Sequence, residues 1–169
     1  MAMENDDTLI ELASIVSNGN EQVIRDVTML VRVPEVFVEA HKDWYESLFA
    51  ESADDDNAEI VDVFTSWLVE AHVGASVEWD AKPSAIAGKL SELEATLGYP
   101  LGIDNLDFTG NEQTGEFLDM VGNYLELKKF GLYRMDIDAD SFLLLIVRDE
   151  DEDDFMRYMA ELGLEGHRH

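Results

Sequence analysis

The chain has 169 residues, 46% of them hydrophobic, which is enough for one domain with a substantial core. Against 38 Asp and Glu there are 11 Lys and Arg, and the formal charge of −27 removes the cations that binding a nucleic-acid backbone or an anionic membrane surface requires. Cysteine is absent, so no disulfide framework, thiol nucleophile or thiolate zinc site can form, a composition expected of a reducing cytoplasm.

The opening run MAMENDDTLIEL carries acids where a signal peptide needs a basic region, and the first element begins inside it. Thr8 and Glu11 stand at capping-box spacing before the apolar set Leu9, Leu12, Ala13 and Val16, with Gly19 as the stop, which predicts a short helix. Asn20 is placed to cap a second helix bearing Val23, Ile24, Val27, Leu30 and Val31 until Pro34 interrupts it. Pro34 suits the first turn of a third, in which Phe37, Ala40, Trp44 and Leu48 recur at three to four residues, the stripe Phe37, Ala40, Trp44 facing inward. The acidic stretch from Glu51 to Asn57 reads as a solvated loop. A fourth helix from about Ala58 to His72 then shows one wide apolar face of Ile60, Val63, Phe64, Trp67, Leu68 and Ala71.

After Gly74 the period changes to two. Ala75, Val77 and Trp79 alternate with Ser76, Glu78 and Asp80, the pattern of a half-buried strand over 75–80. Pro83 opens a helix with Ile86, Leu90, Leu93 and Leu97 on one face, and Gly98-Tyr99-Pro100 closes it. The Gly-, Asn- and Asp-rich segment from Leu101 to Asn111 yields no regular pattern. A long helix from about Thr114 to Phe130 follows, with Phe117, Leu118, Val121, Tyr124 and Leu125 as its core face and Gly131 as its stop.

Tyr133, Met135 and Ile137 alternate with Arg134, Asp136 and Asp138, giving a half-exposed strand over 131–138. Phe142 to Val147, the longest unbroken aliphatic and aromatic run, is far short of the about 20 residues a spanning helix needs and instead predicts a strand over 141–148 covered on both faces. Asp138 to Ser141 form the turn between them. A last helix carries Phe155, Met156, Met159 and Leu162, with the acids Asp149 to Asp154 at its start and Gly163 as its stop. The expected fold is therefore a helix-rich α+β single domain with a small antiparallel sheet of about three strands. Its N-terminal half, about 7–72, is helical, and its C-terminal half, about 74–164, is α+β. The expected core comprises Phe64, Trp67, Leu68, Val77, Trp79, Leu90, Leu93, Val121, Leu125, Leu143, Leu145 and Val147.

The run Ala75-Ser76-Val77-Glu78-Trp79-Asp80 leading into a helix resembles a motif of a bacterial family known as a domain of unknown function, and GLYRMDIDADSFLLLIVRDEDEDDFMRYMAELGL is similar to that family's closing hairpin and helix. The likeness spans roughly Ala75 to Leu164. It implies an α+β fold, loosely like that of bacterial immunity proteins, and no catalytic residue.

Residue patterns that could carry chemistry are few. Asp136, Asp138 and Asp140 begin like a calcium loop, but Ser141 stands where the sharp turn needs Gly and Val147 where a bidentate Glu should close the shell, so no metal is expected there. His41, His72, His167 and His169 have no partner at zinc-site spacing and are assigned to surfaces, helix ends or a disordered terminus. His41 lies two residues from Glu39 and Asp43, a spacing at which helical side chains diverge. No GxSxG elbow, GxxxxGK[ST] loop or GxGxxG turn occurs.

The acidity is uneven: between Val33 and Asp80 there are 13 acids and one Lys or Arg, Lys42. One account is the solubilising surface of a salt-adapted proteome; the other is an electrostatic face for a basic protein, with Glu35, Glu39, Asp43 and Glu46 turned outward from the Phe37, Ala40, Trp44 stripe. The favoured reading is a non-enzymatic cytoplasmic protein-binding or accessory domain, possessing no cofactor and binding neither nucleic acid nor membrane. The alternative is a metal-assisted hydrolase using carboxylates from several elements, which requires at least three acids converging on a cleft. The sequence leaves the oligomeric state and the identity of a partner open.

Overall fold

A computed structural model describes residues 2–49, 60–136 and 140–169, with side chains from Asp6 onward. Five helices come first: α1 (Ala2–Val16), α2 (Glu21–Arg32), α3 (Pro34–Ala40), α4 (Lys42–Phe49) and α5 (Ile60–Glu70). There follow β1 (Ala75–Glu78), α6 (Pro83–Leu97), α7 (Thr114–Glu126), β2 (Phe130–Asp136), β3 (Ser141–Arg148), α8 (Glu152–Glu161) and β4 (Gly166–Arg168). Short 3-10 turns at Ile103–Asn105 and Asp149–Asp151 join α6 to α7 and β3 to α8.

The strands form one antiparallel sheet in the order β1-β3-β2-β4. Phe142 to Val147 of β3 are all buried, so this central strand is covered on both faces as its unbroken apolar run requires. Cross-strand register sets Tyr133 opposite Leu145 and Val77 opposite Phe142. The Tyr133 ring meets Phe155 of α8 at 4.7 Å between centroids. α1 and α8 pack on β3, α6 on β1 and α7 on β2, and one hydrophobic cluster runs through both halves of the chain.

Several boundaries follow from the expected chemistry. The Asn20 side chain accepts from the N–H groups of Gln22 and Val23 and caps α2. Pro34 and Pro83 open α3 and α6, and Gly98 ends α6 in the left-handed conformation at φ 72°. Leu68, Leu90, Leu93, Val121, Leu125, Leu143, Leu145 and Val147 are buried, as are Phe64, Trp67 and Val77.

Other expectations fail for physical reasons. Thr8 lies inside α1 and is buried; its hydroxyl donates to Glu161 at 2.8 Å and ties α1 to α8 instead of capping a helix. The third helix breaks at His41, with φ −122° and ψ 35°, so the apolar stripe does not continue: Phe37 is buried and Trp44 half-buried, but Ala40 and Leu48 are exposed. Trp79 is 62% exposed. Its period-two phase is that of Val77, but β1 ends at Glu78, whose partner Ser141 is the first residue of β3, and beyond it only the Trp79 N–H reaches the Asp140 carbonyl at 2.9 Å among the described residues. α7 stops at Glu126, and the positive φ of 69° falls on Lys129, not on Gly131. Gly131 belongs to β2, where an added Cβ would meet the Tyr133 ring at 2.8 Å and the Arg168 guanidinium at 3.1 Å.

The C-terminal residues are ordered by a fourth strand that the sequence pattern did not reveal. β4 pairs with β2, and the His169 N–H donates to the Leu132 carbonyl at 2.9 Å. Arg168 forms ion pairs with Asp149 at 3.1 Å and Glu152 at 2.9 Å and lies over the Tyr133 ring. Burial, aided by a hydrogen bond to Glu152, pushes the Tyr133 phenol up to about 12, while that same bond and Arg168 hold the Glu152 carboxyl below its usual range.

Two predictions follow from this packing. Leu145→Ala should lower stability by about 2–5 kcal/mol, whereas Trp79→Ala should change it by no more than about 0.5 kcal/mol; urea unfolding of both variants checks the contrast. Because the Glu152 carboxyl is more acidic folded than unfolded, its contribution is present above about pH 4.3 and is lost as pH falls through the depressed folded value. Tyr133→Phe should therefore cost about 1 kcal/mol or less at pH 7 and flatten the loss of stability below about pH 4.3, measured by unfolding across the acid range.

Candidate interaction groove and its acidic surroundings

α4 and α5 enclose a groove whose walls are set by helical spacing. From α4 come Trp44, Ser47, Leu48 and Phe49; from α5 come Asp62, Thr65, Ser66, Val69 and Glu70, with Ser76 of β1 completing a cavity of about 630 Å³. Trp44, Ser47 and Leu48 on α4, and Asp62, Thr65, Ser66, Val69 and Glu70 on α5, recur at three to four residues and form one face of each helix, with Phe49 at the last turn of α4. A smaller cavity of about 270 Å³ adjoins it, sharing Val69, Glu70 and Ser76 and reaching Lys89, whose ammonium donates to the Ser76 carbonyl.

An aromatic cluster supports the groove from beneath. Trp44 stands edge-on to Trp67 at 5.0 Å and to Phe37 at 6.1 Å, and it meets Phe49 at 6.2 Å. The His41 ring lies 4.3 Å from Trp67 and 4.8 Å from Phe37, so this residue ends α3 and fills the angle between the helices. Its neighbours there are aromatic faces, not the carboxylates of Glu39 and Asp43. The Trp67 indole N–H is buried and has no acceptor among the described residues.

Glu35, Glu39, Asp43 and Glu46 are all exposed on α3 and α4, and Asp62 and Glu70 are exposed at the groove. Among the described residues, no ion pair engages an acid between positions 33 and 80. The arginines pair elsewhere: Arg25 with Glu21, Arg32 with Asp7, Arg134 with Asp136, Arg148 with Glu150 and Asp151, Arg157 with Asp154, and Arg168 with Asp149 and Glu152. The described carboxylates of α3, α4 and α5 therefore face solvent without an ion-pair partner among the described residues. Asp62 and Glu70 were not singled out in the sequence, although both lie on the polar side of the α5 stripe.

The other motifs are dispersed. Asp136 is exposed at the end of β2 and Asp140 precedes β3, while Asp138 and most of the turn lie outside the described residues, as does the stretch from Glu51 to Asn57. Among the described residues no three His, Asp or Glu side chains converge as metal ligands, the arrangement metal-assisted hydrolysis needs. His72 takes a left-handed conformation just after α5, His167 is exposed on β4, and His169 contacts Asp119 at 2.8 Å. No described helix is long and apolar enough to cross a membrane.

The molecule is thus an acidic, helix-rich α+β domain with a sheet of four strands and an aromatic-walled groove. The chain belongs to the family described as a domain of unknown function, DUF6630, whose model matches residues 8–168. The match takes in the N-terminal helices as well as the segment from Ala75 to Leu164 that carries the resemblance in sequence. No curated protein and no solved structure matches the chain.

Uncompensated carboxylates repel, and screening relieves them. Raising salt from low levels to about 0.15 M, where the screening length is about 8 Å, should raise the unfolding midpoint. Replacing Glu35, Glu39 and Glu46 by Gln and Asp43 by Asn should raise the low-salt midpoint and shrink its salt dependence, as thermal unfolding at two ionic strengths would show.

Proposed function

We propose that this domain is a non-enzymatic protein-binding module of the cytoplasm whose acidic helical side receives a basic partner protein. The observation that carries the reading is the charge imbalance of the α3–α5 region: its exposed acids lack internal cation partners among the described residues, while arginines elsewhere in the chain are paired. Such a face raises the local concentration of a cationic partner and speeds encounter, an effect that weakens with ionic strength. The groove beside it supplies aromatic and aliphatic surface, the element that charge alone lacks for a lasting complex.

The test separates the position of the charge from its amount. Glu39→Gln, Asp43→Asn and Glu46→Gln are combined in one variant, and the exposed acids Asp107, Glu116 and Glu126 of the C-terminal half are neutralised in another. Stopped-flow association with a lysine-rich peptide at low salt should be several-fold slower for the first variant and nearly unchanged for the second, with dissociation less affected in both. Equal slowing would assign the effect to net charge and remove the acidic helical side as a binding face.

A further inference from the structure

The groove between α4 and α5 has a chemical pattern more specific than an acidic surface. Asp62 and Glu70 lie eight residues apart on α5, about 12 Å of helical rise, on the same face as Thr65, Ser66 and Val69. The opposite wall, from α4, is mostly apolar: beside Ser47 and Phe49 it carries the half-buried Trp44, held against Trp67 and Phe37, and Leu48, which is 54% exposed. Neither carboxylate has an ion-pair partner among the described residues. Lys89 stands in the adjoining cavity, which His72 also lines, with its ammonium directed to the Ser76 carbonyl.

We propose that this groove binds an extended segment of a partner protein through two lysine or arginine side chains placed four residues apart, one at Asp62 and one at Glu70, with an apolar side chain between them against Trp44 and Leu48. Four residues of extended chain span about 13 Å, close to the carboxylate spacing along α5. The flexible stems of lysine or arginine lie along the tryptophan wall while their heads reach the carboxylates at either end. Charge excludes acidic occupants: a second copy of this chain carries the same −27, and a nucleic acid or acidic peptide would meet the carboxylates of the site. The inference rests on the acidic helical side being a binding face and adds the register and the apolar anchor.

Synthetic peptides distinguish the two ideas. One places lysines four apart with leucine midway between them; a second has the same composition with the lysines adjacent; a third keeps the spacing with serine for leucine. Affinities are measured by isothermal calorimetry at about 0.15 M salt for the full chain, for Asp62→Asn with Glu70→Gln, and for Leu48→Ser. These substitutions are at exposed positions and spare the Trp44–Trp67 packing. The expected result is binding of the first peptide at least tenfold tighter than either of the others, lost in the double carboxylate variant and weakened several-fold by Leu48→Ser. Equal binding of all three peptides, or unchanged affinity in the groove variants, overturns the groove while leaving the acidic face standing. Spermine competing as strongly as the first peptide would make the site a receptor for small polyamines and overturn a protein segment as its occupant. Absence of binding by every peptide, at low salt as well, would overturn the groove and the acidic face together.

Discussion

The unbroken apolar run of β3 is the constraint around which the molecule is arranged. A strand whose two faces are both apolar cannot stop at one layer of helices, because the uncovered face would leave the side chains of Phe142, Leu144 and Ile146 or those of Leu143, Leu145 and Val147 in water. Neighbouring strands close its two edges, and helices from both ends of the chain close its faces. This explains why α1, first in sequence, packs against α8, near the end, with the Thr8 hydroxyl on Glu161. The helical half is part of the same core, and its helices are held where the sheet needs them.

The groove is a by-product of how that helical half is folded. α5 must turn Phe64, Trp67 and Leu68 toward the core, which leaves Asp62, Ser66 and Glu70 outward. α4 lines the other side of the groove, after the break at His41, where the imidazole packs against Trp67 and Phe37. A helix running straight from Pro34 to Leu48 would carry Trp44 elsewhere. The bend therefore joins two roles: it stacks the aromatic cluster and sets the opposite wall of the cavity.

The parts of the fold legible in sequence are those in which one local rule decides. The Asn20 cap, the prolines opening α3 and α6, the left-handed Gly98 and the apolar run of β3 need no distant partner to be read. The parts that escaped depend on residues far along the chain. Trp79 has the phase of a core residue, yet the pairing of β1 with β3 reaches only to Glu78 opposite Ser141. Gly131 resembles a helix stop, but its missing Cβ makes room for Tyr133 and Arg168 within the sheet. β4 is too short and polar to show a period, and it is held by backbone pairing with β2 and by Arg168 on Asp149 and Glu152. The four acids of α3 and α4 were legible because exposure follows from the apolar stripe; the groove was not, because periodicity within single helices does not reveal the angle at His41.

The distribution of the three tryptophans has a consequence for light absorption and emission. Trp44 and Trp67, with ring centroids 5.0 Å apart and planes inclined at 79°, are close enough for their excited states to couple, and the pair has a fixed handedness that gives rise to circular dichroism. Trp79, with most of its ring in solvent, emits at long wavelength and is open to collisional quenchers. The chain thus carries two separate chromophoric reporters, one sensing the wall of the groove and the other the end of β1, neither of which has to be introduced by labelling.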